Sequence, residues 1–78
     1  MAGWTEKDGA LQKTFELDSF RAAVTFVNRI ADAAERANHH PDIYLSYKTV
    51  TVVLTSHDAG DVTDRDRALA ATIDRLKL

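Results

Sequence analysis

Three features of the sequence predict an α+β fold, a four-stranded antiparallel sheet with helices packed on one face. Two pairs of short alternating segments each precede an amphipathic one, giving the order strand, strand, helix, strand, strand, helix. Asp8-Gly9, the composition of a tight hairpin turn, joins the first pair. The chain's single proline, Pro41, ends the longest helical pattern and opens the third strand. The 78 residues make one domain, 1–78.

The first strand is expected over Gly3 to Glu6, led by Trp4. In the second, Leu11, Lys13, Phe15 and Leu17 alternate with Gln12, Thr14 and Glu16, so one face is apolar apart from Lys13. Asp18 or Ser19 can cap the helix that follows. That helix is expected from about Ser19 to Ala37. It carries two apolar stripes. Phe20, Val24, Val27, Ala31 and Ala34 form one; Ala23, Phe26, Ile30, Ala33 and Ala37 form the other, rotated by roughly 100°. The combined arc is wider than the stripe of an ordinary surface helix. Either one broad core face absorbs both stripes, or one packs on the sheet and the other on a partner. A domain this small buries only about 60% of its unfolded surface, which favours the partner.

Asn38 suits the helix end because Asn tolerates left-handed backbone. Pro41 pushes His40 into extended geometry. Ile43, Leu45 and Tyr47 alternate with Tyr44 and Ser46, and Lys48-Thr49 is the expected turn. Val50, Val52 and Leu54, alternating with Thr51, Val53 and Thr55, give the strongest strand signal. Asp58 to Asp61 is a loop. Thr63 caps the last helix, with Asp66 three residues on as its capping-box partner and Asp64 beside it. Leu69, Ile73 and Leu76 form the buried stripe.

Composition narrows the function. A net charge of −2 provides no basic surface for nucleic acid. The absence of cysteine excludes disulfides and thiolate metal ligands. No apolar run approaches the roughly 20 residues of a membrane span. Met1 to Asp8 lacks the apolar core of a signal peptide, so the cytoplasm is the expected location.

The histidines are the chemical feature. His39 and His40 straddle the end of the helix and the start of a strand, so their side chains are expected to diverge and to do different jobs. His57 follows the strongest strand and can face the pair if the sheet folds back. An adjacent pair in a loop is often merely solvated. Imidazole, however, titrates near pH 6.5 and can serve as acid or base at neutral pH. Three histidines can also hold zinc. Adjacent residues rarely aim both rings at one ion, so no metal is expected. No glycine-flanked serine elbow is present.

Glu35-Arg36-Ala37-Asn38-His39-His40-Pro41, then Tyr47, then Thr55-Ser56-His57-Asp58, then Thr63 and Asp66, resembles the pterin-4a-carbinolamine dehydratase family. The similarity runs from about Trp4 to the C-terminus. The resemblance implies a hydro-lyase that converts a 4a-hydroxytetrahydropterin, such as that of tetrahydrobiopterin, to the quinonoid dihydropterin. His39, His40 and His57 match the family's active-site histidines, with His39 and His57 as general acids and His40 closer to binding. Asn38 to His40 and Thr55 to Asp58 match the segments lining its pterin pocket. It implies no cofactor, the pterin being substrate, and self-association to dimers or tetramers. Its alternative is a non-catalytic dimerisation or assembly module of the same fold, which has no reason to keep all three histidines. The further helix common before the Gly-Trp pair is not expected here, Gly60-Asp61-Val62-Thr63 replaces a Gly-Gly-Leu-Thr-like stretch, and Ile43 stands where an aromatic residue is frequent.

Overall fold

The computed structural model describes residues 3–77. Its elements are β1 (Thr5–Lys7), β2 (Ala10–Glu16), α1 (Phe20–Ala37), β3 (Asp42–Ser46), β4 (Thr49–Leu54) and α2 (Asp64–Leu76). The strands form one antiparallel sheet in the order β1-β2-β4-β3. This is the predicted α+β class and element order.

Register places the core. Leu11 lies opposite Leu54, Phe15 opposite Val50 and Ile43 opposite Val52, so these side chains share one face. Both helices cover that face: Phe26, Ile30, Leu69 and Ile73 join the same buried cluster. Trp4 belongs to it too, although β1 itself starts one residue later. The other face carries Thr14, Thr51 and Tyr44, with a Thr14–Thr51 hydroxyl hydrogen bond at 2.9 Å.

Lys13 breaks the alternation because its charge is used under the helices. It lies opposite Val52 on the core face. Its ammonium meets the Asp74 carboxylate at 2.8 Å and rests over the Phe15 ring, 4.8 Å from the centroid. The Trp4 indole N–H donates to the same carboxylate at 3.0 Å. The lysine stem adds apolar contact while its head is neutralised. Asp74 thereby ties α2 to β2 and to Trp4 at the entry to β1.

The two stripes of α1 differ in burial. Ala23, Phe26, Ile30 and Ala33 are buried, so that stripe is core. Ala37 at its end is exposed. In the other stripe Phe20 is 54% exposed and Ala31 is exposed, while Val27 packs at the core margin and Ala34 is buried. Ser19, not Asp18, caps the helix, accepting the Ala22 backbone N–H at 3.0 Å.

The turns differ in one place. Asp8 and Gly9 form the expected two-residue loop, both at positive φ (54° and 77°). The β3–β4 turn is Tyr47-Lys48, one residue earlier than expected, because Ser46 pairs with Thr49. Tyr47 is held at φ 51°, a left-handed conformation costly for a residue with a Cβ. Lys48 answers the Leu17 backbone N–H with its carbonyl at 2.8 Å, which anchors the turn to the end of β2. Among the described residues no helix is long and apolar enough to cross a membrane.

Ile30 is fully buried, whereas Val24 lies on the more open stripe. Ile30→Glu is therefore expected to unfold the protomer, since an unpaired charge in the core costs several kcal/mol. Val24→Glu should keep a folded circular dichroism spectrum. Two equally mild variants would contradict this assignment of the stripes.

Candidate functional site

The site forms where α1 ends, β4 ends and α2 begins. Asn38 takes left-handed geometry (φ 49°, ψ 42°) as expected. Its N–H donates to the Glu35 carbonyl at 3.2 Å, and the His39 N–H to the Ala34 carbonyl at 3.1 Å. These are the two bonds of a Schellman closure. They satisfy the last carbonyls of α1 and fix the His39 backbone.

From there the two rings part, as the proline predicts. His39 turns inward, 10% exposed, and its Nε2 meets Asp66 Oδ1 at 2.5 Å. His40 stays 59% exposed, and its Nε2 contacts the Glu35 carboxylate. No described set of three His, Cys, Asp or Glu side chains is grouped as a metal site.

Asp66 is the buried centre of the junction, with no solvent exposure. It lies in the first turn of α2, and its carboxylate accepts the Thr63 backbone N–H at 2.9 Å as the capping-box pattern implies. The same Oδ2 accepts the Ser56 hydroxyl at 2.8 Å. With that proton committed, the Thr63 hydroxyl donates to Ser56 Oγ, also at 2.8 Å. Burial pushes the Asp66 carboxyl up, but the bonds from His39, Thr63 and Ser56 outweigh it and hold its pKa below the usual carboxylate value. An ionised Asp66 can only accept, so His39 donates through Nε2. Its Nδ1 is then the nitrogen that can gain or lose a proton.

Ser56 also joins His57 to this junction. Its N–H donates to the Asp61 carbonyl at 3.2 Å, and its own carbonyl accepts the N–H groups of Ala59 (3.0 Å) and Gly60 (2.9 Å). These bonds close a tight loop that carries His57 on its outside. The His57 ring is exposed and has no hydrogen-bond partner among the described residues. Thr55 donates its hydroxyl to the Gly9 carbonyl at 2.6 Å, bracing the loop on the β1–β2 turn. Glycine suits position 9 because its φ is positive (77°), a backbone that residues with a Cβ rarely adopt. Asp58 pairs with Arg65 of α2 at 2.6 Å, and that guanidinium lowers its pKa.

The sequence-predicted residues thus gather at one end of the fold, in different roles. His39, Ser56 and Asp66 form one continuous bonded chain. His40 and His57 stand exposed at its edges. The hydroxyl protons of Thr55 and Ser56 are committed within the protein, leaving backbone and acceptor groups for a ligand. Asp66 was legible as a cap but not as the partner of His39, and Arg65 carried no sequence signal. A groove of about 400 Å³ runs between the helices beside His39.

Known proteins resemble this chain in sequence and in fold. The sequence profile described as pterin 4 alpha carbinolamine dehydratase matches residues 1–76. A Herpetosiphon aurantiacus protein named "Putative pterin-4-alpha-carbinolamine dehydratase" is 52% identical over 75 residues, covering 96% of this chain and 78% of its own. A Picosynechococcus protein of the same name is 48% identical, covering 94% and 79%. Among solved structures, the transcriptional coactivator/pterin dehydratase from Brucella melitensis superposes with a TM-score of 0.94 at 29% identity, covering all of this chain and 85% of that one. A pterin dehydratase-like RuBisCO assembly factor of the alpha-carboxysome superposes at 0.82 with 27% identity, covering 96% and 89%.

The lowered pKa of Asp66 has a definite sign in stability. A carboxyl whose pKa is lower folded than unfolded stabilises the fold above its unfolded value, and the benefit is lost as pH falls through the folded one. Wild-type stability should therefore drop from about pH 4 downward. Asp66→Asn should lose about 1–3 kcal/mol at pH 7 and show a shallower acid limb. Urea titrations across pH 3–7 measure both, and an unchanged acid limb would remove Asp66 from the account.

Proposed function

The chain belongs to the pterin 4 alpha carbinolamine dehydratase family, and from that premise we propose that it dehydrates a 4a-hydroxytetrahydropterin to the quinonoid dihydropterin by histidine acid catalysis. One observation carries the reading: a histidine held through Nε2 by a fully buried carboxylate, with Nδ1 left for a reactant. The form able to donate is the imidazolium, which carries its second proton on Nδ1.

The chemistry asks for little else. The N5 lone pair expels the 4a-hydroxyl as that oxygen takes a proton from an imidazolium. The C4a–O bond breaks, water leaves, and the resulting iminium releases one proton to a base or to solvent. His39 supplies the leaving proton from a fixed position. His57, on an exposed loop one residue from Ser56, serves as a second acid from another side. His40, steadied by Glu35, contributes to binding, with Asn38 and the Thr55–Asp58 segment shaping the edge of the pocket. The reaction needs no cofactor.

One observation favours a second reading, a non-catalytic assembly module: the fold is shared with a protein described as a RuBisCO assembly factor. Self-association is compatible with both readings. Phe20, Val24 and Ala31 leave an apolar stripe on α1, and the edge strand β3 exposes Tyr44 and Leu45. Edges of this kind are normally paired or covered.

Two measurements test this account. In steady-state kinetics with a generated carbinolamine, His39→Ala and His57→Ala should each lose about 10–10³-fold, and the double variant should approach the uncatalysed rate. His40→Ala should chiefly raise KM. The rate should fall as pH rises through the histidine range, and it should persist in excess chelator. A folded double variant with wild-type kcat would overturn the mechanism. In sedimentation, the protein is expected as a dimer or tetramer at micromolar concentration, shifted toward the protomer by Val24→Glu. A wild-type species of only 8.7 kDa would refute self-association.

A further inference from the structure

The groove beside His39 has a chemistry that the dehydration itself does not use. Its lining includes the small side chains Ala33, Ala37 and Ala68 beside Leu69 and Thr72, and about 400 Å³ stands open between α1 and α2. His39 forms part of its wall, so the groove begins at the proposed acid. Two guanidiniums flank it, Arg36 from α1 and Arg65 from α2. Arg36 is exposed, and among the described residues nothing pairs with its head group. Arg65 is engaged with Asp58 through one nitrogen, which leaves most of its five donors for a ligand.

A pterin ring bearing a neutral side chain offers two arginines only uncharged acceptors. A phosphate does: its oxygens match the planar, forked donors of guanidinium, which bind them bidentately. Building on the dehydratase reading, we propose that this groove is a subsite for a phosphate monoester on the pterin side chain. The substrate is then a phosphorylated 4a-hydroxytetrahydropterin, its ring at His39 and its phosphate between Arg36 and Arg65.

The test uses the full chain with fluorescent 6-hydroxymethylpterin and its phosphate monoester, and with the carbinolamines of the matching tetrahydropterins. The phosphate ester should bind about tenfold tighter or more, as charge-assisted bonds from two guanidiniums would supply. That ratio should shrink toward one in Arg36→Ala and in Arg65→Gln, and in wild type as salt is raised. Circular dichroism confirms folding, and Arg36→Ala leaves the Asp58 loop contact in place. Equal affinity for the two pterins, failure of either to bind, or a ratio unchanged in Arg36→Ala would overturn the subsite. Turnover of the neutral carbinolamine without any phosphate preference would remove the subsite and leave the dehydratase reading standing. Phosphate-selective binding without turnover of either carbinolamine would do the reverse.

Discussion

The carboxylate of Asp66 is the constraint on which this end of the molecule depends. It has no access to water, so its charge must be answered by hydrogen bonds from the protein. Three donors answer it: the Thr63 backbone, the Ser56 hydroxyl and the His39 ring. Each belongs to a different stretch of chain. One acidic group therefore caps α2, holds the end of the β4 segment and binds the ring two residues beyond α1. The candidate site arises because those three ends must meet at one buried charge.

How far this was legible from the sequence depended on the range of each interaction. Local signals carried well. Asp8-Gly9, Ser19, Asn38, Pro41 and the Thr63–Asp66 pair each act within a few residues, and the elements begin and end at them. Non-local partners did not carry. Lys13 looked like a flaw in its strand because its carboxylate, Asp74, lies in the last helix. The stripes of α1 have the same period, and only the sheet decides that Ile30 rather than Val24 faces inward. The β3–β4 turn slipped by one residue because pairing with β4 outweighed the unfavourable backbone of Tyr47. At the site, the position and divergence of His39 and His40 followed from Pro41. The Asp66 bond to His39 links residues 27 apart and was beyond pattern reading.

The site and the surfaces open to partners occupy different parts of the fold. The histidines sit on chain junctions. The exposed stripe of α1 and the edge of β3 lie along elements whose other faces form the core. Changes on the outer faces can alter association without touching the junction. This separation gives a physical reason why one fold can serve a dehydratase and an assembly factor, and why overall likeness alone cannot distinguish them.

The junction itself is less free to change. Removing His39 alone would leave Asp66 buried and ionised with one donor missing, and a buried charge deprived of its partner is among the costlier defects a small domain can carry. A non-catalytic protein of this fold that dispensed with the histidine would be under pressure to replace the aspartate as well. His39 and Asp66 should therefore be kept or lost together, whereas His57, exposed and without a bonded partner, can change at little structural cost. In this chain the costly pair and the cheap histidine are all present. The pair answers to stability and, through the Nδ1 it leaves open on His39, to the proposed chemistry, whereas nothing in the packing holds His57 in place.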